Sequence, residues 1–192
     1  MRWLTLYTRS RQLPMALLGF LAGAVLLWGL TLWWGADQTG SRLMSVTMVL
    51  GVAAASAGLC GFDAARERTA SFTWPPRRAA HLVALAAMAA AGPLVVDVLA
   101  DSHLQTEVIV RDAVGLVGLA GVGAVLAGGS FGWCFPFGAT VLANVPIEAD
   151  SDALRVLTWL VQPADSTAAM TTALVFAAVG VIGYAAWGPR PA

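Results

Sequence analysis

Long apolar runs, separated by short polar stretches, dominate the pattern along this chain. An uncharged apolar run of about 18 or more residues can cross the hydrocarbon core of a bilayer as a helix. The pattern therefore predicts an all-α integral membrane protein of one domain, residues 1–192, with six transmembrane helices. The predicted spans are 14–34, 43–61, 79–99, 112–128, 134–145 and 167–187.

Two shorter segments are predicted to lie at the membrane surface. Residues 1–12 suit an interfacial helix with Trp3 and Tyr7 turned inward and Arg9 and Arg11 towards lipid phosphates. An unstructured basic N-terminus is the alternative. Residues 153–161 are mostly apolar but too short to cross, which predicts a re-entrant or interfacial helix between the fifth and sixth spans.

The stretch from Phe62 to Arg78, called here the coupling segment, reads FDAARERTASFTWPPRR and separates the second and third runs. Its charges are too dense to lie in hydrocarbon. Pro75 and Pro76 are expected to stop a helix, because proline lacks a backbone donor and clashes with the preceding turn. The segment is thus expected in water, where a soluble partner can reach it.

Composition agrees with a lipid environment. The chain is 58% hydrophobic and 11% charged, whereas a soluble domain has roughly 25% charged residues. The formal net charge is zero, which argues against nucleic acid as a partner. Cys60 and Cys134 lie in apolar surroundings and are expected to act as small buried hydrophobes.

Arginine placement predicts the orientation, since basic residues favour the cytoplasmic side. With the N-terminus inside, eight of the eleven arginines are cytoplasmic and three are outside. Both termini and the coupling segment are then cytoplasmic. The outer three are Arg42, Arg111 and Arg155.

Three features together resemble the membrane subunit of a type-2 ABC exporter, a permease that works with separate ATP-binding-cassette subunits. They are the amphipathic start RWLTLYTRSR, the charged cluster and prolines of DAARERTASFTWPPRRAAHL, and the apolar segment before the sixth span. In the order of its structural elements, nearly the whole chain resembles this family. At residue level Glu67, Arg68 and Thr69 fit the family's E-R-x-x-G-T-like run, although its Gly is missing here.

The resemblance implies a cytoplasmic coupling helix at about residues 63–72 that docks on the ATPase. The docking residues that it implies are Asp63, Arg66, Glu67, Arg68, Thr69 and Phe72. It also implies a second permease chain, identical or different, in a bacterial cell membrane. ATP and Mg would be bound by the ATPase, and this chain would hold no cofactor. The alternative is an ordinary cytosolic loop whose arginines only fix topology.

Motifs for chemistry within the chain are missing from the sequence. It has no G-x-x-x-x-G-K-[ST] loop to hold ATP phosphates. Asp63 and Arg66 match part of a phospholipid head-group transferase motif, but the further aspartates needed for a metal do not follow. His81 and His103 fall on opposite sides of the predicted membrane and cannot share a metal or haem.

Three functions remain. The first is an exporter permease for a hydrophobic or amphipathic substrate, driven by a separate ATPase. The second is a non-transporting assembly or immunity partner in a membrane complex. The third, a small secondary transporter, would usually place an ionisable group at depth, whereas the sequence indicates only Asp97, near the end of a span.

Overall fold

The structure, a computed structural model, describes residues 13–35, 40–60, 74–101, 103–145 and 151–190. These ranges contain helices and turns but no strand. The helices are α1 Leu13–Trp34, α2 Ser41–Ser56, α3 Trp74–Ala100, α4 Thr106–Ala127, α5 Cys134–Asn144, α6 Asp152–Leu157 and α7 Thr167–Trp187. Short 3-10 turns lie at Ala57–Leu59, Gly129–Phe131 and Trp159–Val161.

Five of these elements are long and apolar enough to cross a membrane, so the all-helical membrane architecture is confirmed at that level. They are α1, α2 with its 3-10 turn, α3, α4 and α7. The run predicted as the fifth span forms α5, which has eleven residues. At 1.5 Å per residue α5 is about 16 Å long, about half of the roughly 30 Å hydrocarbon core. A sixth crossing therefore stays a prediction.

Antiparallel packing gives the bundle two ends. The anchor end is defined by Cys60, Arg78, Gly128 and Gly188, and the ion-pair end by Gly40, Gln105, Pro163 and Thr167. Backbone hydrogen bonds and side-chain contacts join residues within each end, as between Arg190 N–H and the Ala124 carbonyl at the anchor end and between Arg111 and Pro163 at the other. The chain between α4 and α7 returns from the anchor end to the ion-pair end through α5 and shorter turns. Both Leu13 and Arg190 thus lie at the anchor end.

Helix α1 packs on α2 through small residues. An added Cβ at Gly19 would clash with Ala54, and one at Gly23 would lie 2.7 Å from the Thr47 carbonyl oxygen. The G-x-x-x-G spacing of Gly19 and Gly23 therefore does permit close helix approach, as small residues do in membrane bundles. The rest of α1 is largely exposed, as expected of a helix that faces lipid.

Helix α4 is central and is buried on most sides. Arg111, Gly115 and Gly118, spaced at i, i+4 and i+7, form one stripe along it. An added Cβ at Gly118 would lie 2.6 Å from the backbone of Ala177 in α7. The glycine-rich stretch is therefore the place where α4 and α7 approach most closely, in line with the tight packing expected from the sequence.

Helix α3 begins at Trp74, so Pro75 and Pro76 lie inside its first turn. From the sequence, these prolines were expected to end a helix, with the third span beginning at residue 79. The first turn tolerates proline because its N–H groups have no partner within the helix. The apolar spans therefore continue directly into the last residues of the coupling segment.

Candidate functional site

The predicted docking residues lie outside the described part of the chain. Residues 61–73 are not described, and they include Asp63, Arg66, Glu67, Arg68, Thr69 and Phe72. The predicted interfacial anchors Trp3, Tyr7, Arg9 and Arg11 also fall outside it. What the structure does describe is the two points where residues 61–73 join the bundle, at Cys60 and at Trp74.

The first junction is held by α7 and by the turn after α4. The hydroxyl of Tyr184, which is fully buried, donates to the Leu59 carbonyl at 3.1 Å. Cys60 lies directly against Gly129, where an added Cβ would come within 2.6 Å of the Cys60 Cα. The Cys60 Sγ and Ser130 Oγ atoms are 3.6 Å apart. Leu59 and Cys60, the last described residues before residues 61–73, are thereby held by two other elements.

The second junction contacts α7. Arg78 Nη1 donates to the Ala185 carbonyl at 3.4 Å. Gly188, with φ +70°, lies so close to the guanidinium that an added Cβ would be 2.7 Å from Arg78 Cζ. Trp74 lies about one turn earlier, and its ring centroid is 6.0 Å from the Cζ of Arg77, within range of a cation–π contact.

The tail after α7 connects these junctions to α4. The Arg190 N–H donates to the Ala124 carbonyl at 3.0 Å, and Arg190 Nη1 donates to the Leu126 carbonyl at 3.2 Å. These carbonyls belong to the last turn of α4, where no intrahelical donor remains for them. The tail of α7 therefore joins the last turn of α4 to the helix that contacts both junctions.

A buried ion pair lies at the opposite end. Arg111 Nε and Asp112 Oδ1 are 2.9 Å apart, and both side chains have zero exposure. Arg111 Nη1 donates to the Pro163 carbonyl at 3.1 Å, and Nη2 donates to the Gln162 carbonyl at 3.0 Å. The guanidinium thus binds α4 to the backbone that follows the Trp159–Val161 turn.

The same turn packs into the notch left by a glycine of α4. Trp159 is buried, and its ring occupies the space where a side chain at Gly115 would lie. The ring is also tilted by 55° against Phe176, with centroids 6.2 Å apart. Trp159 and Arg111 together fix the segment predicted to be re-entrant onto α4 and α7. In the structure this segment consists of α6 and the 3-10 turn.

The ion pair was not predicted from the sequence, in which Arg111 was expected in a loop and Asp112 at the start of a span. Helix α4 in fact begins at Thr106, so both residues lie in its second turn. The available signal was the adjacency of opposite charges inside the apolar run EVIVRDAVGLVGL. Asp112 Oδ2 is buried without a hydrogen-bond partner among the described residues.

The remaining candidates for chemistry are scattered. His81 is buried in α3 near the anchor end, whereas His103 is exposed at the ion-pair end. Cys60 and Cys134 are free thiols, each partly buried. Within the described ranges, no three His, Cys, Asp or Glu side chains are grouped as metal ligands. The two regions with organised polar contacts are therefore the anchored junctions and the ion pair.

Comparisons with known proteins give no match to a family model, to a curated protein or to a solved structure.

Proposed function

We propose that the chain is the permease subunit of an ATP-binding-cassette exporter for a hydrophobic or amphipathic substrate. A separate ATPase would drive it through residues 63–72, and a second permease chain would complete the transporter. The protein would reside in a bacterial cytoplasmic membrane with both termini in the cytoplasm. The arginine distribution and the return of the chain to the anchor end after α7 support this orientation.

The observation that carries the proposal is the fixation of both junctions of residues 61–73. A docking helix can drive a bundle only if its ends are held by the elements that must move. Tyr184 holds one junction and Arg78 the other, and both contacts converge on α7. The tail of α7 then holds the last turn of α4. A loop that served topology alone would need none of these contacts.

The docking residues are tested by replacing Arg66, Glu67 and Arg68 with alanine. The tagged chain is isolated from its host in mild detergent, and co-purifying ATP-binding-cassette protein and its ATP hydrolysis are measured. We expect the variant to insert normally and to lose most of the bound ATPase. The matched control replaces Asp152 and Arg155, charged residues of α6 at the other end, and should retain it. Unchanged partner binding in the triple variant would contradict the proposal.

The junction contacts are tested separately with Tyr184→Phe combined with Arg78→Gln. These changes leave the docking residues intact, so we expect the ATPase to remain bound. Its hydrolysis should no longer respond to substrate, because the docking helix would move without carrying α7. Substrate-stimulated hydrolysis at the wild-type level would show that force does not pass through these contacts.

The buried Arg111–Asp112 pair suggests a second candidate function, an ion-driven transporter. Ionisable residues within membrane-spanning helices often mark ion or proton pathways. Here Arg111 is committed to Asp112 and to two backbone carbonyls, which favours a structural role instead. Transport that stops when an ionophore collapses the ion gradient, with ATP still present, would identify this second function.

A further inference from the structure

A groove runs between α4 and α7 near the ion-pair end. Its volume is about 350 Å³, at the small end of the range for ligand pockets. Most of the lining is apolar, and the polar groups lie at one end, in the first two turns of α4. The apolar lining includes Val110, Val114, Ala173 and Leu174, and Glu107 and Arg111 lie at the polar end.

The groove follows from the packing of the same two helices. At Gly118 the helices approach so closely that no side chain fits between them. One to three turns nearer the ion-pair end, larger residues replace the glycines, and a gap remains. Val110 and Leu174, on opposite walls, are 44% and 55% exposed. In a membrane-spanning bundle these walls face lipid chains, so the groove has the environment and lining that an acyl chain needs.

The charges at the groove favour one kind of head group. Glu107 is exposed at the rim and brings a carboxylate. Arg111 also borders the groove, but its guanidinium is buried and bonded to Asp112, Gln162 and Pro163. The accessible charge at the rim is therefore negative, and an ammonium group is its complement.

We propose that this groove binds an acyl chain of a phospholipid whose head group carries a primary ammonium, as in phosphatidylethanolamine. The ammonium donates hydrogen bonds to the Glu107 carboxylate. A choline head has the charge but no N–H donor, and a glycerol head lacks the positive charge. The site goes beyond the proposed function, because lipid binding here requires no ATPase and no second chain.

The test is lipid retention by the purified full chain. The chain in detergent is incubated with equal amounts of phosphatidylethanolamine, phosphatidylcholine and phosphatidylglycerol with identical acyl chains, and bound lipid is read by native mass spectrometry. We expect phosphatidylethanolamine to be retained most. In Glu107→Gln its advantage over phosphatidylcholine should fall by about two- to five-fold, the range of a partly exposed ion pair.

Filling the groove provides a second test. In Val110→Trp the indole should occupy the gap and reduce retention of phosphatidylethanolamine to the level of the other two lipids. Val179→Trp is the matched control, since Val179 is exposed on α7 to a similar extent and does not line the groove. Asp101 is an exposed acid at the same end of the bundle, so Asp101→Asn controls for the loss of charge. Both control variants should keep the preference for phosphatidylethanolamine.

Three results would overturn the lipid site. They are equal retention of the three lipids by the wild-type chain, an unchanged preference in Glu107→Gln, and a dimer that Val110→Trp converts to monomer. The last result would show that a second copy of the chain covers the groove. None of these results bears on ATPase binding, so the proposed function is tested independently of the lipid site.

Discussion

The two ends of the bundle are held together by different kinds of contact. At the anchor end, Tyr184, Arg78 and Arg190 each donate to a backbone carbonyl of a neighbouring element, at 3.1 to 3.4 Å. At the ion-pair end, Arg111 makes three contacts of 2.9 to 3.1 Å with no solvent exposure. The anchor end distributes its contacts over several side chains, and the ion-pair end concentrates them on one buried charge.

This difference has a mechanical consequence. A single hydrogen bond contributes about 0.5–1.5 kcal/mol net, so the bonds of the anchor end can be exchanged one at a time. Separating a buried ion pair leaves a charge without compensation, which costs about 3–5 kcal/mol. The ion-pair end should therefore resist separation more strongly than the anchor end, because Arg111 keeps α4 and the 159–163 backbone together.

The largest effect is expected from Arg111→Met. The change leaves the Asp112 carboxylate buried without its partner and frees the carbonyls of Gln162 and Pro163. The free energy of unfolding should fall by about 3–5 kcal/mol, measured by detergent-induced unfolding in mixed micelles. The double variant Arg111→Met with Asp112→Leu should recover much of the loss, because it removes both charges. A single variant as stable as the wild type would remove the contrast between the ends.

A smaller effect is expected from Tyr184→Phe. The ring keeps its packing, and the hydrogen bond to the Leu59 carbonyl is lost. The same unfolding assay should show a loss of about 0.5–1.5 kcal/mol. Tyr7→Phe, outside the described ranges, removes the chain's other tyrosine hydroxyl and serves as the matched comparison. A loss as large as that of Arg111→Met would mean that the anchor end is as rigid as the other.

The smallest effect is expected from Arg190→Gln. The side chain is exposed and donates to one carbonyl at the end of α4, while the Arg190 backbone N–H keeps its own bond to Ala124. Since exposed single contacts contribute little, the free energy of unfolding should be unchanged within error. A clear destabilisation would indicate that the tail of α7 contributes more to the anchor end than its exposure suggests.

The long helices could be predicted from the sequence because length and apolarity alone specify them. The last span was expected at residues 167–187, where α7 lies, and the first at 14–34, one residue shorter than α1. The third span was predicted to begin at residue 79, whereas α3 already includes Trp74. The difference arose because Pro75 and Pro76 were interpreted as helix breakers, although a first turn accepts them. Helix boundaries depend on such local chemistry and were the less predictable part.

The polar contacts could not be predicted, because they join residues far apart in the chain. Arg111 bonds to backbone more than fifty residues away, and neither Gln162 nor Pro163 signals this in its side chain. The burial of Trp159 likewise depends on the missing side chain of Gly115. The sequence indicated only that glycines crowd α4 and that Arg and Asp interrupt its apolar start.

The stripe of Arg111, Gly115 and Gly118 ties the length of α4 to its function as a scaffold. Seven residues separate its first and last members, close to two full turns. Inserting a single residue between them would rotate one contact by about 100° relative to the other. Natural or engineered length changes in this helix should therefore be tolerated before Arg111 or after the glycines, and excluded from the two turns between.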